Sequence, residues 1–261
     1  VSVIILQDEI IHYEVLGRGR PLVFLHDWVG SWRYWIPAMQ AASISYRTYA
    51  LDLWGFGDTA KSARHYSVEQ QIDLLNDFME KLGIGRVALV GHGFGAILSM
   101  LFAQRYSSLV DRLLAVSYPF SQETINPRLQ SATPTELADW LLGRNSHEAA
   151  WAEACKADSK AILLTLAGLQ NVELHALPAL IQTPTLLVHG MNDPAIGIPD
   201  PNIISLLPEH LHHIIFEQSG HYPMLEETSK FNRLLSDFLN LSSSTSPRQL
   251  QVKEEWKRRV R

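Results

Sequence analysis

One cysteine, Cys155, is all the chain has, which excludes an intramolecular disulfide and any cysteine-rich metal framework. Charged residues make up only 19% of the 261 residues and the net charge of -5 is scattered, so no basic field exists to recruit nucleic acid. No apolar run approaches the roughly 20 residues that span a bilayer, so no transmembrane segment is expected. The apolar stretch 1–6 lacks a basic flank and a small-residue cleavage site and reads as a first strand, not a signal peptide. Together these absences predict a protein of the reducing cytoplasm.

Hydrophobic residues are plentiful at 46%, enough for one large core. Residues 3–6 and 10–16 read as a strand pair. Residues 21–26 follow as a buried strand, because Leu22-Val23-Phe24-Leu25 is the unbroken apolar run of a parallel strand covered on both faces. Strand and helix then alternate: a helix over 32–42, a strand over 46–51, a helix over 67–82 capped by Ser67, a strand over 86–90, a helix over 94–106 and a strand over 110–117. That alternation predicts an α/β fold with a mostly parallel, doubly wound sheet.

Residues 119–183 break the rhythm with helical pieces around 134–142, 146–157 and 159–169, which predicts a helical lid inserted into the sheet. Strands resume at 184–189 and 211–216, and a helix over 229–241 closes the core. The expected organisation is therefore a core of residues 1–118 and 184–241, a lid of residues 119–183, and a linker with a basic tail over 242–261. The tail, with Lys253, Lys257, Arg258, Arg259 and Arg261, reads as a solvated segment or a contact for a further domain or partner.

The segment Val87-Ala88-Leu89-Val90-Gly91-His92-Gly93-Phe94-Gly95 runs an apolar strand through a glycine-bounded turn into a helix. This is the setting of the nucleophile elbow, Gly-x-Ser-x-Gly, in which a tight turn presents a side chain above the sheet. Its central residue here is Gly93. The same glycines lack the six-position spacing and acidic partner of a dinucleotide site, so no cofactor is expected.

In these residues, and over positions 1 to about 241, the chain resembles the α/β-hydrolase family. His26-Asp27-Trp28 follows the third strand, where the family usually has His-Gly-x, and the resemblance implies oxyanion-hole amides at Trp28 and Phe94. The run 184–194, ending His189-Gly190-Met191-Asn192-Asp193-Pro194, is similar to the loop that delivers the triad acid, and Ser219-Gly220-His221-Tyr222-Pro223 to the loop that delivers the histidine. The implied catalytic set is Asp193, His221 and a vacant nucleophile position at Gly93. Asp27 replaces the family's glycine, and an ionised carboxylate there opposes a developing oxyanion unless it faces away or is paired. Two departures, not one, argue for natural divergence over a single engineered replacement.

Other candidates have plainer readings. His92 flanks the elbow and is placed in the pocket wall, packing sideways. His189 reads as a core histidine, and His210, His212 and His213 as a solvent-facing strand edge, since no carboxylate or cysteine completes a metal set. Trp32, Tyr34 and Trp35 wall the pocket or pack their own helix. Trp140 and Trp151 in the lid are candidates for an apolar pocket wall, whereas Cys155 and Ser159 are structural.

Glycine supplies neither a nucleophile nor a proton, so an acyl-enzyme at position 93 is excluded. The first expectation is a non-catalytic module that binds a small, mostly apolar ligand or serves in an assembly. The alternatives are a carboxylic-ester or carbon–carbon bond hydrolase inactivated at the nucleophile, and an enzyme in which His221 and Asp193 activate water without a covalent intermediate.

Overall fold

In a computed structural model, which describes residues 2–242 and 245–250, the alternating pattern forms one eight-stranded sheet. The strands are β1 (Ser2–Leu6), β2 (Glu9–Leu16), β3 (Arg20–Leu25), β4 (Tyr46–Leu51), β5 (Val87–His92), β6 (Val110–Val116), β7 (Thr185–Gly190) and β8 (Leu211–Phe216). They lie in the order β1-β2-β4-β3-β5-β6-β7-β8. β2 runs antiparallel to both β1 and β4, and every other pairing is parallel. β5 and β7 are buried along their whole length, as helices on both faces of a parallel sheet require.

The helices are α1 (Ile36–Ala42), α2 (Val68–Lys81), α3 (Phe94–Arg105), α4 (Arg128–Ser131), α5 (Pro134–Leu141), α6 (Glu148–Ala154), α7 (Ser159–Gly168), α8 (Leu177–Leu180), α9 (Pro201–Ser205), α10 (Pro223–Glu226) and α11 (Thr228–Leu239). Five of them, α4 to α8, form an insertion between β6 and β7. Local chemistry sets several starts: Ser67 Oγ accepts from the Gln70 amide, Thr133 and Glu136 form a capping box, and Asp158 caps α7. α3 is apolar nearly all round because it packs against both β5 and β6.

Two expected helices are differently bounded. The helix over 32–42 divides into a 3-10 turn, Trp32–Trp35, and α1, since Ser31 caps the tight turn and Pro37 starts the α-helix afresh. The closing helix is Thr228–Leu239, with the short α10 before it. A larger correction concerns the linker. Residues 246–250 pack on the β8 edge: Ser246 Oγ donates to Glu209 O, the Arg248 guanidinium to the carbonyls of Leu207, Pro208 and Leu211, and His212 Nε2 to Leu250 O. Main-chain carbonyls at a sheet edge order this strap without a large apolar surface. The basic residues 251–261 lie outside the described residues. No described helix is long and apolar enough to cross a membrane.

The strand order places a topological switch between β3 and β5: from β3 the chain moves outward to β4, then returns to β5 on the other side. Loops leaving the carboxyl ends of such neighbours diverge and leave a site between them. Asp27 follows β3 and Gly93 follows β5. Asp193 and His221 follow β7 and β8 at the same end of the sheet.

A candidate active site closed by an ion pair

At the turn between β5 and α3, Gly93 has φ 50° and ψ -111°, a backbone region open to glycine and strained for other residues. Its amide donates to Val116 O and its carbonyl accepts from Ala96 and Ile97, which fixes the turn between strand and helix. A Cβ on Gly91 would lie 2.2 Å from Gly95 O, and one on Gly95 would lie 2.3 Å from Leu25 O. Both flanking glycines are therefore demanded by backbone approach.

The space above Gly93 is filled by Asp27. A Cβ on Gly93 would stand 1.9 Å from Asp27 Oδ1 and 2.3 Å from its carboxyl carbon. Oδ1 accepts from the Phe94 amide at 2.8 Å, and Oδ2 accepts from His221 Nε2 at 3.0 Å. On the far side, His221 Nδ1 lies 2.9 and 3.0 Å from the two oxygens of Asp193. With a carboxylate on each ring nitrogen, His221 donates from both and is an imidazolium.

Burial alone would push the His221 pKa down. The charge of Asp193 and its hydrogen bond, with those of Asp27, outweigh burial and lift it to about 10. Burial likewise disfavours the charged carboxylates, yet the bond and charge of His221 and backbone amides hold both Asp27 and Asp193 below the usual range. Asp193 is further fixed by the Ala195 and Ile196 amides on Oδ1 and by Ser117 Oγ, which donates to Oδ2 at 2.7 Å. Ser117, in the left-handed region at φ 48°, is a supporting residue that the sequence reading did not single out.

Asp27 is held from behind as well. Its amide donates to Tyr34 Oη at 2.8 Å, which leaves that hydroxyl's hydrogen for His92 Nδ1 at 3.0 Å. His26 Nδ1 donates to Asp27 O, and its Nε2 accepts from the Leu53 amide. Tyr34 is thereby part of the site, not only helix packing. His92 is buried with its ring centroid 4.5 Å from that of His221; burial first, and then the His221 charge, lower its pKa to about 3, so it is a neutral support.

Trp28 stacks on Phe94, ring centroids 5.3 Å apart, and its indole Nε1 donates to Thr165 Oγ1 of α7 at 3.0 Å. The Phe94 amide, expected in an oxyanion hole, donates to Asp27 Oδ1. For Trp28 the bond in place is that of the indole, and no main-chain bond to Asp27 occurs among the described residues. Thr165 was not legible as part of this region.

Trp140 and Trp151 do not join the site. The guanidinium of Arg128 lies over the Trp140 ring and that of Arg144 over Trp151, whose indole donates to Asp139. Both rings are half-buried, packed against the core and covered by an arginine. His189 is a satisfied core histidine, donating through Nε2 to Tyr118 O. The solvent-facing reading of the β8 histidines is corrected: His213 Nε2 bonds His189 Nδ1 at 3.0 Å, and His212 bonds the strap. Among the described residues no group of three or more His, Cys, Asp or Glu could hold a metal ion.

A doubly wound sheet, a strained elbow at its switch point and an acid–histidine pair on the last two strand loops define the α/β-hydrolase class. The profile of the "Alpha/beta hydrolase family" matches residues 22–234, and the chain belongs to that family. It is similar to the 2-hydroxy-6-oxo-2,4-heptadienoate hydrolase of Pseudomonas putida, 28% identical over 251 residues, covering 86% of this chain and 90% of the relative. Epoxide hydrolase 3 of Xenopus tropicalis is 34% identical over 112 residues, 41% of this chain and 30% of the relative. Among solved structures, a serine-to-glycine mutant of the N-acyl homoserine lactonase AidH, complexed with N-hexanoyl homoserine lactone, superposes with a TM-score of 0.80. The match is at 20% identity and covers 91% of this chain and 96% of the other. That likeness concerns the fold.

Proposed function

We propose that this chain is an α/β-hydrolase that performs no acyl transfer, with Gly93 at the nucleophile position and Asp27 occupying the space the nucleophile and oxyanion would need. One observation carries the reading. A single carboxylate takes both the Phe94 amide, which an oxyanion requires, and His221 Nε2, which a hydroxyl nucleophile requires. Toward carboxylic esters the chain is a closed binding fold without a catalyst. The insertion α4 to α8 acts as its lid, fastened over the centre by Trp28 and Thr165, and the ligand class is small and mostly apolar. The lone cysteine fits a reducing compartment, the cytoplasm.

The Asp27 geometry also bears on a single inactivating replacement in an ordinary ester or carbon–carbon hydrolase. Any side chain at position 93 collides with Asp27, so a working serine enzyme is not one residue away. The test is an aryl-ester panel with wild type, Gly93→Ser, and Asp27→Gly combined with Gly93→Ser. Wild type and the single variant should be inactive. The double variant should gain activity that His221→Ala removes. A burst of product from wild type, with acylated enzyme, would sink the reading.

A further inference from the structure

The parallel strands β4, β3, β5 and β6 are neighbours, and their amino ends lie at the end of the sheet opposite the candidate active site. There Arg20, Pro21, Arg86 and Ala88 line a cleft of about 130 Å³ with Tyr46 and Asp111. Arg20 Nη2 donates to Tyr46 Oη at 2.7 Å, and no carboxylate among the described residues pairs with this arginine. Asp111 is the carboxylate lining the cleft, and it is already claimed: Arg112 Nε donates to it at 2.8 Å, while Arg86 stands off at 3.5 Å. The negative end of α11 is spent as well. Tyr46 Oη donates to Leu239 O, and Arg112 Nη1 donates to Phe238 O and Leu241 O. Two guanidinium forks, Arg20 and Arg86, therefore line one cleft with donors to spare, on a chain whose net charge is -5.

Tyr46 is also a wall of a second cleft, of about 140 Å³, between α1 and α11. Ala41 and Ala42 end α1 with small side chains, which leaves the space, and Leu235, Leu239 and Ile44 supply apolar surface. The remaining lining groups are uncharged hydroxyls and amides. Ile44 is 88% exposed, more than any other large apolar side chain among the described residues. A basic cleft and an uncharged, largely apolar one that share a wall suit one kind of molecule, with an anion at one end and hydrocarbon at the other. We propose that the two clefts together bind a free, single-chain anionic amphiphile, a medium-length fatty carboxylate. Its head lies between Arg20 and Arg86, whose planar forks match a carboxylate. Its chain passes Tyr46 into the groove against Leu235, Leu239 and Ile44. Charge complementarity selects this occupant: an alcohol lacks the head, and an alkylammonium carries the wrong sign. The site shares no residue with the Asp27 and His221 centre and stands independently of it.

Isothermal titration calorimetry with hexanoate, octanoate and decanoate, each below its micelle concentration, tests the proposal, with octanol and octyltrimethylammonium as controls. Affinity should rise with chain length, by up to about fourfold per methylene, and fall as salt is raised. Arg20→Gln combined with Arg86→Gln should weaken octanoate by about tenfold or more and erase its advantage over octanol. Ile44→Glu changes a side chain that folding leaves in water, and it should weaken octanoate and decanoate alike while the melting curve stays that of wild type. Binding at full strength in both variants places the ligand elsewhere and overturns the proposal. Equal affinity for octanoate and octyltrimethylammonium overturns it too, as does folded wild type that binds none of the carboxylates. Binding to phosphatidylglycerol vesicles without binding of monomeric carboxylate also overturns it, in favour of a membrane contact at this end of the sheet.

Discussion

Restoring a serine to the elbow should damage this protein unless Asp27 is removed at the same time. Gly93→Ser places a Cβ 1.9 Å from Asp27 Oδ1, a separation no pair of heavy atoms tolerates without a bond. The neighbour that must move is buried and fixed at four points: the Phe94 amide, His221, its own amide on Tyr34 and its carbonyl on His26. Displacing one partner of a buried ion pair costs about 3–5 kcal/mol. Forcing a non-glycine residue to φ 50° and ψ -111° adds about 1–3 kcal/mol. Together they come to roughly 4–8 kcal/mol, a large part of the ~5–15 kcal/mol that holds a typical domain folded. For a chain of this length the melting temperature should fall by roughly 10–30 °C.

Asp27→Gly removes the obstacle, so the double variant should cost less than the sum of the two single changes, by about 1–3 kcal/mol of coupling. Urea unfolding of wild type, both single variants and the double closes the cycle. If Gly93→Ser unfolds like wild type, or hydrolyses esters strongly without the second change, Asp27 does not occupy the elbow and the reasoning fails.

Further outcomes follow from the same geometry. His221 should titrate near pH 10 by its imidazole carbon–proton resonance, and Asp27→Asn should lower that midpoint by removing one of its two anions. Because the folded value lies above the ordinary 6.5, the stability contributed by His221 is complete below pH 6.5 and lost as pH rises through about 10; the stability gap between wild type and His221→Gln should narrow over that interval. Thr165→Val leaves the buried Trp28 indole without an acceptor and should cost about 1–3 kcal/mol, read as earlier thermal unfolding and a shifted tryptophan emission. Arg248→Ala frees the carbonyls of Leu207, Pro208 and Leu211, and amide exchange should quicken across 207–211 and 246–250 while the centre of the sheet stays protected.

The sheet was legible because its signals are local: unbroken apolar runs at β3, β5 and β7, and glycines where strand and helix touch. Asp193 and His221 could be placed by the loops that carry them, and their hydrogen bond is what that resemblance implies. The direction of the Asp27 side chain was not legible. Its partners stand 67 and 194 positions away, and only the assembled sheet turns the carboxylate inward to meet an amide and an imidazolium. Thr165 and Ser117 escaped for the same reason, each being an ordinary hydroxyl until folding sets it opposite an indole or a carboxylate. Trp140 and Trp151 differ from the expected pocket wall because a ring packed on the core can equally be covered by an arginine, and Arg128 and Arg144 cover these two.

The two departures from the family pattern are physically one change, and the structure gives it an order. With glycine at both positions the elbow holds a gap, which costs some packing and leaves His221 with Asp193 alone. With a carboxylate at 27 and a side chain at 93 the two compete for one volume, at the several kcal/mol estimated above. A lineage moving from a serine elbow to this site therefore passes through loss of the side chain at 93 before gain of the carboxylate at 27. That ordering makes a sharp comparison: Asp27→Gly, which recreates the permitted intermediate, should lose less stability than Gly93→Ser, which recreates the forbidden one and adds backbone strain at position 93 to the broken ion pair. Equal tolerance of the two would mean that the carboxylate reached its position without the elbow having to make room for it.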